Sequence, residues 1–393
     1  MNIEDMVLPS IKNIPSSGIR KYFDIVNEMD GVISLGVGEP DFVTPWNIRE
    51  AGIYSLEKGH THYTSNSGLK ELRAEISRYL NRRYGLDYDP ENQIIITVGG
   101  SEAIDIALRA LVGPKDEVII PEPSFVAYKG CTLFAGAVPK VVNLRAEDDF
   151  KLTPQLLKQA ITPKTKVLIM PYPNNPTGAV MTHEDIAAIV DVLKDEDMIV
   201  VSDEIYSELT YCGNHVSIAS FPEIKDRTIL ISGFSKSYAM TGWRLGYVCA
   251  HPVLIDAMKK IHQYAIMCSP TTSQYAAIEA LKNSSDDVLY MVSEYNRRRR
   301  VMLHGFRKIG LDCFEAQGAF YVFPCIKSTG MSSEEFCEKL LREEKVLVIP
   351  GNAFGACGEG YIRACYASSM ENIMKAIRRI GNFVSKHCSK QAD

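Results

Sequence analysis

The stretch SGFSKSYAMTGWRLGYV, from Ser232 to Val248, places a single lysine among glycine, hydroxyl, aromatic and small apolar residues. A surface lysine usually keeps its ammonium group in water. A lysine in a dry pocket has a lowered pKa, because burial disfavours the charged form, and its neutral amine forms Schiff bases with aldehydes. Lys236 is therefore either an ordinary surface residue or a candidate nucleophile.

Other polar residues directly follow short apolar runs elsewhere in the chain. The turn VGGSEA, with Gly100 and Ser101, offers backbone N–H groups and a helix dipole to an anion, or is simply a tight turn with a capping serine. Asn175, in YPNNPTG, is a candidate ligand or only a turn residue. Asp203, in SDEIY, is a candidate site carboxylate or a helix cap, and Tyr206 shares its face if a helical turn begins there.

One ligand accounts for all of these groups, a phosphorylated aromatic aldehyde. Lysine condenses with the aldehyde, and a carboxylate keeps a pyridinium nitrogen protonated so that the ring withdraws electrons. A tyrosine and an asparagine can hydrogen-bond the phenolate oxygen. Ser235 and Arg244 can join the helix N-terminus around the phosphate, since the planar guanidinium suits it. We therefore predict pyridoxal 5′-phosphate as the cofactor, and no metal.

The apolar runs that must position these residues are rich in β-branched side chains. They are QIIIT (Gln93 to Thr97), EVIIP (Glu117 to Pro121), KVLIMP (Lys166 to Pro171), MIVVS (Met198 to Ser202) and TILIS (Thr228 to Ser232). Helical patterns lie between them, such as 101–112 and 182–194, each with a hydroxyl N-cap candidate followed by acids. This alternation predicts an α/β fold with a parallel sheet, whose ligand binds at the carboxyl ends of neighbouring strands.

The last hundred residues change character. Helical SSDDVLYMVSEYNRRRRVMLHGF leads into GAFYVFP, SSEEFCEKLLREE, VLVIPG and GYIRACYA, which indicates an α+β layer. We predict a large cofactor-binding domain over residues 46–285 and a smaller α+β domain from 1–45 and 286–393. The run NRRRR (Asn296 to Arg300) lies in an amphipathic helix with acids nearby, which favours a solvated face over a nucleic-acid site.

Composition excludes several classes of function. A chain of 393 residues is longer than one hydrophobic core typically accommodates, so we expect two domains. A net charge of −5 provides no basic surface for nucleic acid or an anionic membrane. The start, MNIEDMVLPSIKN, has no apolar signal region, and no apolar run is long enough to cross a bilayer. The ten cysteines include no C-x-x-C pair and are predicted to be reduced thiols. We expect a cytoplasmic protein.

The motifs that contain these residues resemble the pyridoxal-phosphate-dependent class I/II aminotransferases of fold type I, in the bacterial group that includes aspartate and aromatic aminotransferases. The matching stretches run in the family's order over nearly the whole chain: SLGVGEPDF, YTSNSGLKELR, GGSEAI, PSFVAY, PYPNNPTGA, SDEIYSEL, SGFSKSYAMTGWRLGY, GAFYVFP, VIPGNAFG and GYIRACYA. The resemblance implies a mostly parallel central sheet in a large domain and a smaller domain formed by both termini.

Carried over residue by residue, the resemblance assigns roles around the cofactor ring. It implies that Lys236 holds the cofactor as a Schiff base and that Asp203 pairs with the ring nitrogen. Asn175 and Tyr206 would hold the ring oxygen, and Phe125 resembles the aromatic residue that stacks on the ring.

The resemblance also implies how the phosphate and the substrate are bound. The phosphate would be held by backbone groups of Gly100, Ser101 and Glu102 and by the side chains of Ser235 and Arg244. Arg363 resembles the arginine that binds the substrate α-carboxylate, with Asn175 and the backbone of Gly38 beside it. Tyr63 resembles the tyrosine that reaches the phosphate of the neighbouring subunit, which implies a homodimer with shared active sites.

The mechanism implied is a ping-pong transamination. The substrate amine displaces Lys236, and the freed lysine moves a proton from the α-carbon to the cofactor's aldehyde carbon. Hydrolysis releases a 2-oxo acid, and a second 2-oxo acid, expected to be 2-oxoglutarate, reverses the steps.

The amino donor stays open between aspartate, aromatic and acyl-diaminopimelate types. The segment HQYAIMCSP lacks the arginine with which classical aspartate aminotransferases bind the distal carboxylate. Arg20 is a candidate substitute if the N-terminal segment covers the pocket, and a surface position is the alternative. Two other functions are weighed: a pyridoxal-phosphate-dependent C–S lyase of the cystathionine β-lyase type, and a non-catalytic cofactor-binding regulator.

Overall fold

The computed structural model describes residues 3–12, 14 and 29–388 of the chain. In this part a seven-stranded sheet has the order β2-β8-β7-β6-β5-β3-β4. Its strands are β2 (Ile94–Thr97), β3 (Glu117–Glu122), β4 (Val138–Asn143), β5 (Thr165–Met170), β6 (Ile199–Asp203), β7 (Thr228–Gly233) and β8 (Gly246–Cys249). Only β8 is antiparallel to its neighbours, β2 and β7. The predicted α/β fold with a mostly parallel sheet is confirmed.

All five strands predicted from the apolar runs are present, and two further strands were missed. β4 lies at the edge of the sheet with only Val142 buried, and Pro139 and Lys140 interrupt its apolar residues, so it has no continuous apolar run. β8 is only four residues long and begins at Gly246. The predicted site residues follow β2, β5, β6 and β7, which were expected to be neighbouring strands. That prediction is correct for β5, β6 and β7 but wrong for β2, because β8 lies between β2 and β7.

Helices cover both faces of the large sheet. Those of the described chain are α1 (Pro9–Lys12), α2 (Trp46–Glu57), α3 (Lys70–Tyr84), α4 (Gly100–Leu111), α5 (Ala127–Phe134), α6 (Pro154–Ala160), α7 (His183–Leu193), α8 (Pro252–Ala265), α9 (Thr271–Asn283), α10 (Ser285–Lys308), α11 (Ser333–Glu344) and α12 (Met370–Cys388). Side chains of α4, α5 and α8 pack on one face of the sheet, while α3, α6, α7 and α9 pack on the other. No helix of the described ranges combines the length and the apolar character that a membrane crossing requires.

The two predicted N-caps have different outcomes. Thr182 caps α7 as predicted, and Asp185 returns a hydrogen bond to the backbone of Thr182 in a capping box. For α4 the predicted hydroxyl cap, Ser101, was wrong, because the N-cap residue is Gly99, with φ of 82°. The positive φ favours glycine here, and it leaves Ser101 inside the first turn of the helix.

Short strands from both ends of the described chain form a second layer. β1 (Ile33–Ser34) pairs in parallel with β10 (Val346–Leu347), and β11 (Ile349–Pro350), β12 (Ile362–Cys365) and β9 (Tyr321–Val322) form an antiparallel sheet. Helices α10, α11 and α12 pack against these strands. The pairing of β1 with β10 joins residues near the N-terminus to the C-terminal layer, while the boundaries at 45/46 and 285/286 stay a prediction.

The arginine run of α10 differs from the predicted solvated face. Arg297 and Arg300 are exposed, but Arg298 and Arg299 are buried. Arg298 Nη1 lies 2.7 Å from a carboxylate oxygen of Asp41. Arg299 Nη1 donates to Glu315 Oε1 and to the carbonyl of Ala316 at 2.8 and 2.7 Å. Half of the run is therefore an anchor for the C-terminal layer, because buried guanidinium groups require such partners.

Candidate active site

A cavity of about 1100 Å³, including the space at its mouth, lies at the carboxyl ends of β6 and β7, beside the start of α4. It brings together all of the predicted site residues except Glu102 and Tyr63: Gly38, Gly100, Ser101, Phe125, Asn175, Asp203, Tyr206, Ser235, Lys236, Arg244 and Arg363. Side chains from both layers of the fold line it, so the cavity belongs to the junction between them.

Lys236 lies in the turn that follows β7, and its amine points into the cavity. Nζ donates a 2.7 Å hydrogen bond to the carbonyl of Gly38 and lies 6.0 and 5.6 Å from the ring centres of Tyr206 and Phe320. Burial lowers the pKa of Lys236 to about 8, with an opposing contribution from Cys365. A neutral, nucleophilic amine is therefore accessible near neutral pH.

Asp203 ends β6 and is almost completely buried. Its Oδ2 accepts a 2.8 Å hydrogen bond from the hydroxyl of Tyr128, and its Oδ1 accepts one from the backbone of Ile205 at 3.2 Å. Burial raises the pKa of Asp203 to about 6, although both hydrogen bonds act in the opposite direction. A cationic ring nitrogen beside this carboxylate would stabilise its ionised form. Tyr128 was missed from the sequence, although it stands three residues after Phe125 in PSFVAY.

Arg363 lies on β12 and is buried in contact with two aromatic rings. Its guanidinium carbon lies 4.4 Å from the ring centre of Tyr321 and 4.6 Å from that of Phe354. Nη1 donates to Asn175 Oδ1 at 2.9 Å and Nη2 to the carbonyl of Gly36 at 2.6 Å. Nε is buried without a hydrogen-bond partner in the described chain. These neutral partners leave the cation suited to a ligand carboxylate.

Tyr206 and Tyr321 share a 2.9 Å hydrogen bond between their hydroxyl groups, and both line the cavity. Tyr321 was also missed from the sequence. A Cβ atom on Gly38 would overlap the hydroxyl oxygen of Tyr321. Residue 38 must therefore be glycine for the backbone to pass this close to the tyrosine pair.

The end of the cavity beside α4 has the features of an anion site. The first backbone N–H groups of α4, at Gly100 and Ser101, have no partner within the helix and carry the positive end of its dipole. Ser235 and Arg244 line the same cavity, and Arg244 lies beside the start of α4, where Nη2 donates to the carbonyl of Val98 at 3.5 Å and Nη1 to that of Thr241 at 2.8 Å. A partly exposed helix N-terminus beside a guanidinium is suited to a phosphate.

Glycine at position 246 allows the start of α4 to approach this end. A Cβ atom on Gly246 would lie 2.7 Å from the carbonyl carbon of Gly99 and 2.9 Å from the amide nitrogen of Gly100. β8 therefore supports the anion site through backbone contact, although its sequence carries no functional side chain that we predicted.

Two predicted residues lie outside the cavity. The side chain of Glu102 accepts hydrogen bonds from the backbone of Val98 and from His262, whose Nδ1 lies 2.5 Å away. The resemblance implied a phosphate contact from the backbone of Glu102 only, and that backbone lies in the first turn of α4. The side chain of Tyr63 is 80% exposed, and its predicted contact lies on a second copy of the chain. Arg20 falls outside the described residues.

The residues present fit pyridoxal 5′-phosphate by the chemistry of their donors and acceptors. The cavity offers an amine for an aldehyde, a buried carboxylate for a ring nitrogen, a tyrosine hydroxyl for a phenolate and a helix N-terminus for a phosphate. The unpartnered Nε of Arg363 adds a place for the carboxylate of an amino acid.

Comparisons with known proteins agree with this arrangement. Residues 30–380 match the family described as aminotransferase class I and II. The putative aminotransferase YugH of Bacillus subtilis is 54% identical over 376 residues, which cover 96% of this chain and 97% of that protein. The probable N-acetyl-LL-diaminopimelate aminotransferase of the same organism is 41% identical, covering 98% of this chain and 97% of that protein. The crystal structure of an aromatic aminotransferase from Pyrococcus horikoshii has a TM-score of 0.89 at 42% identity, covering 93% of this chain and 99% of that chain.

Proposed function

This chain belongs to the class I and II aminotransferases, which depend on pyridoxal 5′-phosphate, and from that premise we propose that it catalyses a ping-pong transamination with 2-oxoglutarate as the amino acceptor. The first substrate is an amino acid and the first product its 2-oxo acid. Bound pyridoxal 5′-phosphate supplies an aldehyde that condenses with amines and a ring that withdraws electrons from the α-carbon.

The observation that carries the proposal is that one cavity contains both a nucleophilic amine and a guanidinium whose Nε has no hydrogen-bond partner in the described chain. Lys236 Nζ, with its lowered pKa, and the buried Nε of Arg363 both belong to groups that line it. A ligand with a carboxylate beside a reactive carbon uses both groups at once. An α-amino acid and a 2-oxo acid share this feature, which is what a ping-pong enzyme requires of its two substrates.

The roles of the residues follow from their chemistry. Arg363 binds the α-carboxylate of the substrate and thereby orients the α-carbon toward Lys236. The amine of Lys236 takes the proton from that carbon, because its lowered pKa keeps part of it neutral. Asp203 holds the ring nitrogen of the cofactor protonated, and Tyr206 donates to the ring oxygen. Ser235 and Arg244, with the start of α4, hold the phosphate.

A homodimer is part of the proposal, with Tyr63 of each copy reaching the phosphate site of the other. The high exposure of Tyr63 supports this role, since its hydroxyl is free for a second chain to cover. The predicted cytoplasmic location is retained.

The test is to mix the cofactor-loaded protein with each of a panel of amino donors under single-turnover conditions and to measure the change in absorbance of the bound cofactor. Aspartate, the aromatic amino acids and N-acetyl-diaminopimelate span the donor types predicted from the sequence, and the last two are named in two of the relatives. Conversion that is completed by 2-oxoglutarate supports the proposal. No spectral change with any donor, or an acceptor requirement met only by other 2-oxo acids, contradicts it.

The same preparation tests the C–S lyase alternative. Release of pyruvate and ammonia from cystathionine without any 2-oxo acid would favour the lyase, and a cofactor that binds but reacts with no amine would favour the regulator. An aminotransferase releases neither product from cystathionine at a comparable rate.

A further inference from the structure

Tyr321 makes two contacts with functional groups that lie on different elements. Its ring face lies 4.4 Å from the guanidinium carbon of Arg363, and its hydroxyl lies 2.9 Å from that of Tyr206. The side chain is buried, and it comes from β9, whereas Arg363 lies on β12 and Tyr206 follows β6. One side chain thus touches both the candidate carboxylate-binding group and the candidate ring-oxygen donor.

We propose that Tyr321 is a positioning residue with two separable tasks: its ring holds the guanidinium of Arg363 ready for a carboxylate, and its hydroxyl directs the proton of Tyr206 into the cavity. This inference rests on the proposed function, because it takes the carboxylate to be that of an amino acid and the acceptor of the Tyr206 proton to be the cofactor's ring oxygen.

The first task follows from the environment of Arg363. A buried guanidinium needs partners, and an acidic partner would occupy the N–H groups that a substrate carboxylate has to reach. Aromatic rings in contact with the guanidinium stabilise the cation without using those groups. Tyr321 and Phe354 are two such rings, and Nε remains without a partner in the described chain.

The second task follows from counting protons. Tyr206 has one hydroxyl proton, so if it donates to a ligand oxygen in the cavity, its own oxygen can only accept from Tyr321. Tyr321 is then the donor of the 2.9 Å hydrogen bond. A tyrosine that accepts a hydrogen bond becomes a stronger donor, because chains of hydrogen bonds polarise one another. Gly38 leaves the space in which the Tyr321 hydroxyl lies.

Three variants separate the two tasks. Tyr321→Phe keeps the ring and removes the hydroxyl, and Tyr321→Leu removes both contacts. Phe354→Leu is the matched control, because the ring centre of Phe354 lies 4.6 Å from the same guanidinium carbon and no hydrogen bond joins Phe354 to Tyr206 among the described residues. Thermal unfolding of each cofactor-loaded protein shows whether it is folded before it is compared.

Two readouts are measured on the cofactor-loaded proteins, and neither is the rate of turnover. The first is the pH midpoint at which the visible absorption of the Lys236 Schiff base changes, which reports the hydrogen bond to the ring oxygen. The second is the Kd of two carboxylic acids without an amino group, succinate and 3-phenylpropionate, measured through their effect on the same absorption.

Tyr321→Phe should raise the pH midpoint by about half a unit, because a weaker Tyr206 donor leaves the ring oxygen to hold the Schiff-base proton more tightly. Its carboxylate Kd should stay near that of the wild type. Tyr321→Leu should raise the midpoint and also weaken carboxylate binding about thirtyfold, the loss expected for one buried cation–π contact. Phe354→Leu should weaken binding similarly and leave the midpoint unchanged.

An unchanged midpoint in folded Tyr321→Phe overturns the task of the hydroxyl, and unchanged Kd values in Tyr321→Leu overturn the task of the ring. A wild-type protein that shows no Schiff-base absorption refutes the proposed function instead, so the two failures are distinguishable.

Discussion

Two carboxylates five residues apart, Asp203 and Glu208, are both largely buried and yet have opposite properties. The side chain of Glu208 is 8% exposed, and it accepts hydrogen bonds from Tyr79 at 2.6 Å, from Tyr84 at 3.2 Å and from two nitrogens of Arg83 at 2.6 and 2.9 Å. Burial would raise the pKa of Glu208, but the hydrogen bonds from Arg83 and then Tyr79 outweigh it, so the pKa is lowered. For Asp203, burial dominates and raises the pKa to about 6.

The difference lies in the partners rather than in the burial. The partners of Asp203 are neutral, a tyrosine hydroxyl and a backbone N–H, whereas Glu208 has a guanidinium. Lys236 and Arg363 resemble Asp203 in this respect, because their hydrogen bonds go to carbonyl and amide oxygens. Charged groups that the fold leaves without counter-charges are available to a ligand, while the Glu208 cluster is complete in itself.

The largest expected effect on activity comes from removing the amine of Lys236 from the cavity. Lys236→Ala should lower the rate of transamination by about four orders of magnitude or more, since nucleophile and base are lost together. The visible Schiff-base absorption should disappear as well, which is measured by spectroscopy after reconstitution. Lys225→Ala is the control, because that lysine lies near the surface and away from the cavity, where it donates to the carbonyl of Asp87 and faces the ring of Tyr88. Transamination that persists in Lys236→Ala contradicts the assignment.

Removal of the guanidinium should have the next largest effect. Arg363→Ala should raise KM for the amino donor about a hundredfold, because a buried charge-assisted contact to the substrate carboxylate is lost. Cofactor content, measured by absorbance after gel filtration, should remain near normal, since no phosphate contact is assigned to this residue. A protein that loses its cofactor instead would show that the carboxylate assignment is wrong.

The Glu208 cluster should give the reverse result, a loss of stability without loss of chemistry. Glu208→Ala leaves Arg83, Tyr79 and Tyr84 without their acceptor and should reduce the free energy of unfolding by about 2 kcal/mol. Urea denaturation of the apoprotein measures this change, while kcat per folded molecule should stay close to that of the wild type. A large fall in kcat with unchanged stability would overturn the distinction between the two regions.

The smallest expected effect is a difference between Asp203 and Glu208 in how each contributes to stability as the pH changes. A raised pKa for Asp203 means that the folded apoprotein holds this proton more tightly, so its contribution to stability is present below about pH 4 and is lost as the pH rises through 6. A lowered pKa for Glu208 means the opposite, a contribution that is present above about pH 4 and is lost as the pH falls through the folded-state pKa.

Asp203→Asn should therefore stabilise the apoprotein by about 1–2 kcal/mol at pH 7, and this gain should shrink toward pH 4. Glu208→Gln should destabilise it at pH 7, and this loss should shrink below pH 4. Urea titrations at several pH values measure both. Parallel pH profiles for the two variants would show that the carboxylates do not differ in the way the structure indicates.

Much of the fold was readable because its strands are local signals. Each of the five buried parallel strands is a continuous apolar run, which can be recognised from consecutive residues without reference to the rest of the chain. The edge strand β4 has no continuous apolar run, and the apolar run of the antiparallel β8 is only four residues long. The order of the strands in the sheet has no local signal at all. The burial of Arg298 and Arg299 was missed for the same reason, since their partners Asp41 and Glu315 are not identifiable from a helical pattern.

The amino-acid sequence alone was sufficient to identify the family and the cofactor, and it predicted the residues whose chemistry the cofactor demands, such as Lys236, Asp203 and Arg363. These are specified by residue type at a strand end or in a motif, and both are properties of a few consecutive positions.

Only the tertiary structure decided how those groups are partnered. Tyr128 lies 75 positions from Asp203 along the chain, Asn175 lies 188 from Arg363, and Tyr321 lies 115 from Tyr206. Such pairs form because the order of the sheet and the packing of the second layer bring distant strands together. The pKa of a buried group depends on the partners that result, which is why charge and reactivity at this site are properties of the folded chain.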